Sequence, residues 1–435
     1  MQSSALPLGH AAINEFSFTS LNRISRSPLY LLVLSNGHGE DLIALRVLES
    51  LHQIRPEIFL EVLPLVGKGK AFDIAVSEGW ISRINIGTTL PSGGFSNQSF
   101  ASLIQDISAG LLTNTFRQIL AVHRLARKGR LILAVGDLLP LALAWSTGQP
   151  FGFIGTPKSD YTWQTFFGQS WSDYYHLLKG SEWDPWEYLL MKSIHCKMIA
   201  VRDQLTARGL RKHGVDALSL GNPMMDGFQR TQYPESIKDY RRIVLLCGSR
   251  MPEAISNLEI LLKSINFVQI ESSLAIFIAI SSEISITNVK EIIIRFGYRE
   301  ISFAENIFGT QACFKKNSKI LFLGAGQFPH WASWAEIGLA NAGTATEQLV
   351  GLQIPVVSLP GKGPQFNKSF ALRQSRLLGG AVIPCKNSKE FARTVELLLG
   401  NPSLRNKLGR VGLTRMGREG GSYSLAQHLS SFLLY

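Results

Sequence analysis

Long apolar runs are missing from this sequence. The nearest, LILAVGDLLPLALAW at 131–145, is cut by Asp137 and Pro140, well short of the roughly 18 uninterrupted apolar residues that a membrane-spanning helix needs. Cysteine is scarce. Cys196, Cys247, Cys313 and Cys385 are the four in the chain; they form neither a C-x-x-C pair nor a disulfide-like framework, which fits a reducing compartment. There is no H-E-x-x-H and no D-x-D, so no metal site is expected. GKGK at 67–70 lacks the spacing of a P-loop, and no strand exit carries G-x-G-x-x-G, which disfavours a nicotinamide dehydrogenase. Acids are outnumbered as well: 32 Asp+Glu against 44 Lys+Arg leave a formal net charge of +12. That balance favours acidic partners, whether nucleic acid, phosphorylated metabolites or an anionic membrane surface, and charge alone does not choose among them.

What is present is alternation. The 435 residues, 45% of them apolar, are too many for one ordinary core and divide most simply into two α/β domains. Residues 1–27, Ser-rich with Arg23 and Arg26, lack the apolar core of a secretory signal and read as a flexible tail. From Tyr30 onward, β-type apolar runs alternate with helical periodicity, the pattern of parallel sheets covered by helices on both faces. YLLVLS (30–35), IFLEVLPLVG (58–67), RLILAVG (130–136), PFGFIG (150–155), KMIAVRD (197–203) and ALSLGNP (217–223) are the strand candidates of the first half. The second half restarts at RRIVLLCGSR (241–250) and continues through SLAIFIAI (273–280), SKILFLG (318–324), WAEIGLANAG (334–343) and IPVVSLPG (354–361). The stretch 221–240 between them, polar and Pro-broken after Met225, reads as a linker. The expected divisions are a tail at 1–27, an N-terminal domain at 28–222, a C-terminal domain at 223–415 and a C-terminal helix at 416–435 that packs back on the first domain.

Ligands of such sheets sit at the carboxyl ends of the strands, and the chemically distinctive residues cluster there. LLCGSRMPE (245–253) runs from a buried strand into Ser249 and Arg250 just ahead of a helix whose Ile255, Leu258, Leu262 and Ile265 share one face. A helix start favours phosphate, and an arginine adds charge-assisted bonds of about 1.5–3 kcal/mol each; a turn carrying a solvated arginine reads equally well. Asn341-Ala342-Gly343-Thr344 forms the next such turn, and Thr344-Ala-Thr-Glu347 fits a T-x-x-E capping box. Glu347 is alternatively a carboxylate for ribose hydroxyls. Gln365 and Asn367 supply uncharged amides for sugar hydroxyls, or simply form turns. In the first half, Asp137 ends an apolar strand, where it can be a general base or can cap the following helix. His38 in NGHGED (36–41) competes for the base role.

Taken together, LLCGSRMPEAISNLEILL, NAGTATEQLVGLQIPVVSLPG and GNPMMDGF, in this order and at these separations, resemble lipid-A-disaccharide synthase and its related GT-B glycosyltransferases. That family carries an L-P-G-S-R-x-x-E strand exit, an S-G-T-A-T-x-E helix start and a G-H-P-x-x-D hinge. The resemblance implies a GT-B fold, two Rossmann-like doubly wound parallel-sheet domains facing a cleft. It implies a UDP-sugar donor in the second domain, with Ser249 and Arg250 on the diphosphate, Gly343 and Thr344 offering amides to it, Glu347 on the ribose, and Gln365 and Asn367 near the donor sugar. The acceptor falls to the first domain, around Gly37, Gly39 and Glu40. Cys247 stands where the family has proline, Asn222 where it has the hinge histidine, and NGHGED where it has G-E-A-S-G-D. These departures bear on the acceptor more than on the donor.

The segment from Tyr161 to Tyr188 is dense in aromatics interleaved with polar residues, which suits a bilayer interface or an ordinary packed insertion. The amphipathic stretch 99–120 can join it as a lipid-acceptor surface. The expectation is therefore an inverting, metal-independent glycosyltransferase with no cofactor beyond its UDP-sugar, cytoplasmic and peripheral on an anionic inner leaflet. It transfers a hexosamine-type sugar to a lipid-linked or glycolipid acceptor and binds no nucleic acid. The rivals are a UDP-sugar 2-epimerase and a non-catalytic nucleotide-sugar-binding protein at the membrane.

Overall fold

The computed structural model describes residues 28–84, 111–165, 171–228, 231–303, 307–361 and 366–433. Strands β1 (Tyr30–Ser35), β2 (Phe59–Pro64), β3 (Ile81–Arg83), β4 (Leu131–Gly136), β5 (Phe151–Gly155) and β6 (Cys196–Val201) form one parallel sheet in the order β3-β2-β1-β4-β5-β6. Leu31, Leu32, Val33 and Leu34 are each fully buried, and neighbours in sequence belong to different apolar clusters on opposite faces of the sheet. A strand apolar at every position needs cover on both faces. At about 1.5–3 kcal/mol for each large apolar side chain buried, this central pattern is a main source of the domain's stability.

The second sheet contains β7 (Arg241–Leu246), β8 (Leu274–Ile280), β9 (Arg299–Ile301), β10 (Ala312–Lys316), β11 (Lys319–Ala325), β12 (Ile337–Ala340), β13 (Val356–Ser358) and β14 (Val382–Pro384) in the order β14-β13-β12-β7-β8-β11-β10-β9. It is parallel except at one edge, where β10 pairs antiparallel with both β9 and β11, while β11 pairs parallel with β8. The helix Glu253–Ile265 buries Leu258, Leu261, Leu262 and Ile265 against this sheet, the spacing of one helical face.

One expected strand is absent. ALSLGNP makes a single isolated bridge, Ala200 to Leu218, because Gly221, Asn222 and Pro223 turn the chain out of the sheet and into a short 3-10 turn, Pro223–Met225. Four strands escaped the sequence reading: β3, β9, β10 and β14. ISR, REI and ACFKK are short and partly polar, so they carry little of the apolar signal on which strand recognition rests.

The chain crosses between the sheets twice. After the first crossing at Gly221 and Asn222, the helix Gly421–Leu433 returns and lies on the helix His38–Ile54 of the first half. Leu425, Ala426 and Leu429 share an apolar cluster with Leu31, Val33, Ile43 and Val47. The crossings touch one another: Gly221 has φ +107°, and a Cβ on it would come within 2.7 Å of the Gly421 Cα. Asp226, the acid of the hinge motif, accepts from the amides of Gly420 (2.5 Å) and Ser422 (2.7 Å), so it supplies the acceptors that the start of the returning helix lacks. Asp226→Ala is expected to cost about 1–2 kcal/mol, read as a lowered thermal midpoint of the full chain; Asp226→Asn, which keeps one acceptor, should fall between the two.

Candidate functional site

The carboxyl ends of the two sheets face one another, and three loops of the second sheet make one wall. At the exit of β7, Gly248 takes φ +92°, and a Cβ there would lie 3.2 Å from the Asn341 carbonyl oxygen. Only glycine fits that backbone comfortably. Ser249 is exposed and Arg250 half-buried beyond it, one turn ahead of the helix at Glu253, with Ala254 N–H donating to the Arg250 carbonyl at 2.8 Å. Burial lowers the pKa of the Arg250 guanidinium, while the charges of Glu253 and Glu40 oppose that effect. Glu253, the acid of the strand-exit motif, accepts from Phe366 N–H at 2.9 Å, tying a second loop of the site to the first.

At the exit of β12 the helix Thr344–Gly351 starts from Gly343 with no side-chain cap. The capping box expected from Thr344-Ala-Thr-Glu347 is therefore not formed: Thr344 lies inside the helix, and Glu347 turns elsewhere. Its Oε2 accepts from Nη2 of Arg202 at 2.9 Å, an ion pair between the domains whose side chains are 16% and 7% exposed. The start of this helix faces the start of helix His38–Ile54, for a Cβ on Gly39 would lie 3.5 Å from Thr344 Oγ1. That first helix also begins at a glycine, Gly37, without a side-chain cap. Two helix starts without side-chain caps thus meet across the cleft, a favourable setting for an anion.

The first sheet supplies the acids. Asp137 accepts from Asn36 Nδ2 at 2.6 Å and from the Leu139 amide at 3.1 Å, both on Oδ1; it caps the helix Leu138–Ser146, so the capping reading of Asp137 is realised at the cleft edge. Glu40 receives a long hydrogen bond from Thr156 Oγ1 at 3.4 Å. Burial raises the Glu40 carboxyl above its ordinary range, the charges of Asp137 and Glu347 raise it further, and a backbone hydrogen bond and Thr156 pull it down. Glu40, which the sequence placed on the acceptor side, is thereby a carboxylate with raised proton affinity. The side chain of His38 and all of Gln365 lie outside the described residues. Asn367 caps the helix Lys368–Leu377, accepting from Phe370 N–H at 2.9 Å.

Beneath this wall lies a pair of amides. Asn341 donates to the Leu359 carbonyl (2.7 Å) and accepts from its N–H (3.0 Å); Asn257 donates to the Cys247 carbonyl (3.1 Å) and, more weakly, to that of Asn341 (3.4 Å). Glu40 was placed on the acceptor side from sequence and Glu253 stood within the strand-exit motif, neither with the contacts seen here; Arg202, Thr156 and Asn257 were not singled out. Arg202 carried the same signal as Arg250, a cation directly after a buried strand; for the others, nothing local distinguishes them from ordinary helix and loop residues. The four cysteines are free. Among the described residues no cluster of His, Cys, Asp and Glu can hold a metal ion, and no helix is long and apolar enough to cross a membrane.

No family model and no curated protein matches this chain. Solved structures do. Medicago truncatula UGT71G1 complexed with UDP-glucose aligns over 94% of this chain and 99% of its own, with a TM-score of 0.59 at 12% identity. The S. aureus MnaA-UDP co-structure aligns over 93% and 97%, with 0.55 at 13%. CalG4, the calicheamicin glycosyltransferase, aligns over 94% and 99%, with 0.56 at 13%, and a putative UDP-N-acetylglucosamine 2-epimerase from Listeria monocytogenes over 93% and 95%, with 0.53 at 12%. At these identities the likeness is one of fold: two Rossmann-like domains facing a cleft, the GT-B architecture.

Beside the cleft, Asp41 is 1% exposed and receives Ser35 Oγ at 2.5 Å. Burial first, then the charge of Glu40, pushes its pKa from 3.8 up to about 7. A carboxyl raised in this way contributes stability that is fully present below its unfolded pKa and lost as pH rises through the folded one. The wild-type thermal midpoint should therefore decline between about pH 4 and about pH 8 more steeply than that of Asp41→Asn; parallel midpoint-versus-pH curves would contradict this.

Proposed function

We propose that the protein is an inverting glycosyltransferase that moves a hexosamine-type sugar from a UDP-sugar to a lipid-linked or glycolipid acceptor, in the manner of lipid-A-disaccharide synthase. The observation that carries the donor half is that Arg250 lies within electrostatic reach of Glu40, in the first turn of the helix whose start at Gly37 faces the one at Gly343. A diphosphate there meets a guanidinium and two helix starts without side-chain caps, which accept the charge that develops on the leaving group. Glu347 serves the ribose, and Gln365 and Asn367 flank the donor sugar. The acceptor hydroxyl approaches from the first domain beside Gly37, Gly39 and Glu40. Its proton passes to His38 or Asp137 as its oxygen bonds to the anomeric carbon, and the bond from that carbon to UDP breaks on the opposite face. The chemistry derived from these residues calls on no cofactor.

The acceptor half rests on an exposed apolar face of the first domain. Within the aromatic segment, Trp163, Trp183 and Tyr188 are buried as core. Tyr174, Tyr175, Leu177 and Leu178 on helix Trp171–Lys179, and Trp186 and Leu189 on helix Pro185–Met191, face solvent, Leu178 with 89% of its surface. Trp145 on the adjoining helix Leu138–Ser146, with Phe116 and Leu120 on helix Leu111–Arg127, extends the exposed set, and Arg117, Arg124, Arg127 and Lys128 accompany it. Residues 99–110 of the amphipathic stretch lie outside the described residues. Aromatic and aliphatic side chains beside cations suit an anionic bilayer surface, from which a lipid-borne hydroxyl can reach the cleft.

A UDP-sugar 2-epimerase is the second reading, favoured by the fold shared with the Listeria protein; the apolar face is what favours transfer to a lipid. Incubation of the purified chain with a panel of UDP-sugars and total membrane lipid should give, by mass spectrometry, a lipid product heavier by one hexosamine. Isomerised donor without lipid present would instead identify the epimerase. Arg250→Ala should weaken UDP binding by about ten- to a hundredfold in calorimetry at low salt, and unchanged affinity would remove Arg250 from the donor site.

A further inference from the structure

Arg202 follows β6 in the first domain, yet its guanidinium is spent on the second. Nη2 lies 2.9 Å from Glu347 Oε2 and 3.5 Å from Met416 Sδ. Both partners of the pair are largely shielded from water. Burying two charges costs about as much as their attraction returns, so such a pair adds little net stability, whereas loss of one partner leaves an uncompensated charge. Its position is more informative than its energy: it joins the first turn of the helix Thr344–Gly351 to the opposite domain, beside Thr344 and Gly39.

Glu347 alone would be an obstacle there. A free carboxylate next to a diphosphate repels it, and Glu40 already adds a second carboxylate within electrostatic reach. Arg202 cancels the charge of Glu347 and holds one of its oxygens, Oε2, while Oε1 keeps its capacity to accept a hydroxyl. We infer that Arg202 is a positioning residue for the donor: it orients and neutralises Glu347 so that this carboxylate reads the ribose diol of a nucleoside diphosphate, and it makes donor affinity depend on the two domains being docked. The inference rests on the reading that the second domain binds UDP.

The test is calorimetry on the full chain with uridine diphosphate and with 2′,3′-dideoxyuridine diphosphate, for wild type, Arg202→Met, Arg202→Lys and the double variant Arg202→Met/Glu347→Gln, in which no buried charge is left unpaired. Wild type should prefer the ribonucleotide by about tenfold or more. Arg202→Met and the double variant should bring the ratio of the two affinities close to one, and Arg202→Lys should restore part of it. A variant without Arg202 that keeps the wild-type preference, even with a lowered thermal midpoint, makes the pair a purely structural contact and overturns the inference. Folded wild type that takes up uridine diphosphate without distinguishing the two nucleotides overturns it as well, while leaving the donor reading intact; folded wild type that takes up neither removes both.

Discussion

The wall of loops at the carboxyl end of the second sheet depends on two buried side-chain amides. Asn341 and Asn257, 1% and 4% exposed, connect the exits of β7, β12 and β13, three strands that pair side by side only up to their last residues. Beyond those ends the sheet ladder no longer holds the loops, and Asn341 continues it by giving Leu359 a donor and an acceptor just as a neighbouring strand would. A buried amide deprived of such partners costs about 1–3 kcal/mol, so none of the three loops can relax without the others. Gly248 follows from this arrangement, since the Asn341 carbonyl occupies the space where a side chain would begin.

The contacts that join the two domains beside the cleft have a different character. Arg202 with Glu347, Arg376 with Asp173 and Arg373 with Glu182 are ion pairs, and Arg415 lies over the Tyr161 ring at 3.8 Å. Charged pairs are directional, and interdomain contacts more polar than a fused apolar core permit relative motion of domains. The apolar cement lies instead at the back, where the helix Gly421–Leu433 is packed into the core of the first domain and capped by Asp226. An apolar back and a charged front suit a cleft that opens on one side.

The aromatic segment joins both themes. Its buried half anchors it, with Trp183 edge-on to Phe153 at 5.7 Å, and its acids reach the helix Lys368–Leu377 of the second domain. Its other half remains in solvent beside a run of cations. Exposed apolar side chains and a contact with the second domain thus belong to the same stretch of chain.

Local sequence was enough for the long central strands. YLLVLS and LAIFIAI are apolar at nearly every position, and such a run has few stable homes other than the middle of a covered parallel sheet. It was enough, too, for the turn at Arg250 and the helix after it, because Gly248 and the spacing of Leu258, Leu262 and Ile265 are local facts. Short edge strands such as β3 and β9 were not legible, since pairing rather than composition makes them. The fate of Glu347 was not legible either: T-x-x-E is consistent with a capping box, and only the arrival of Arg202, 145 positions earlier in the chain, diverts the carboxylate. Apolar periodicity depends on residues a few positions apart and is written along the chain. The partners of a buried charge or amide are set by which distant segments the fold brings within hydrogen-bonding distance, and that was decided by tertiary structure alone.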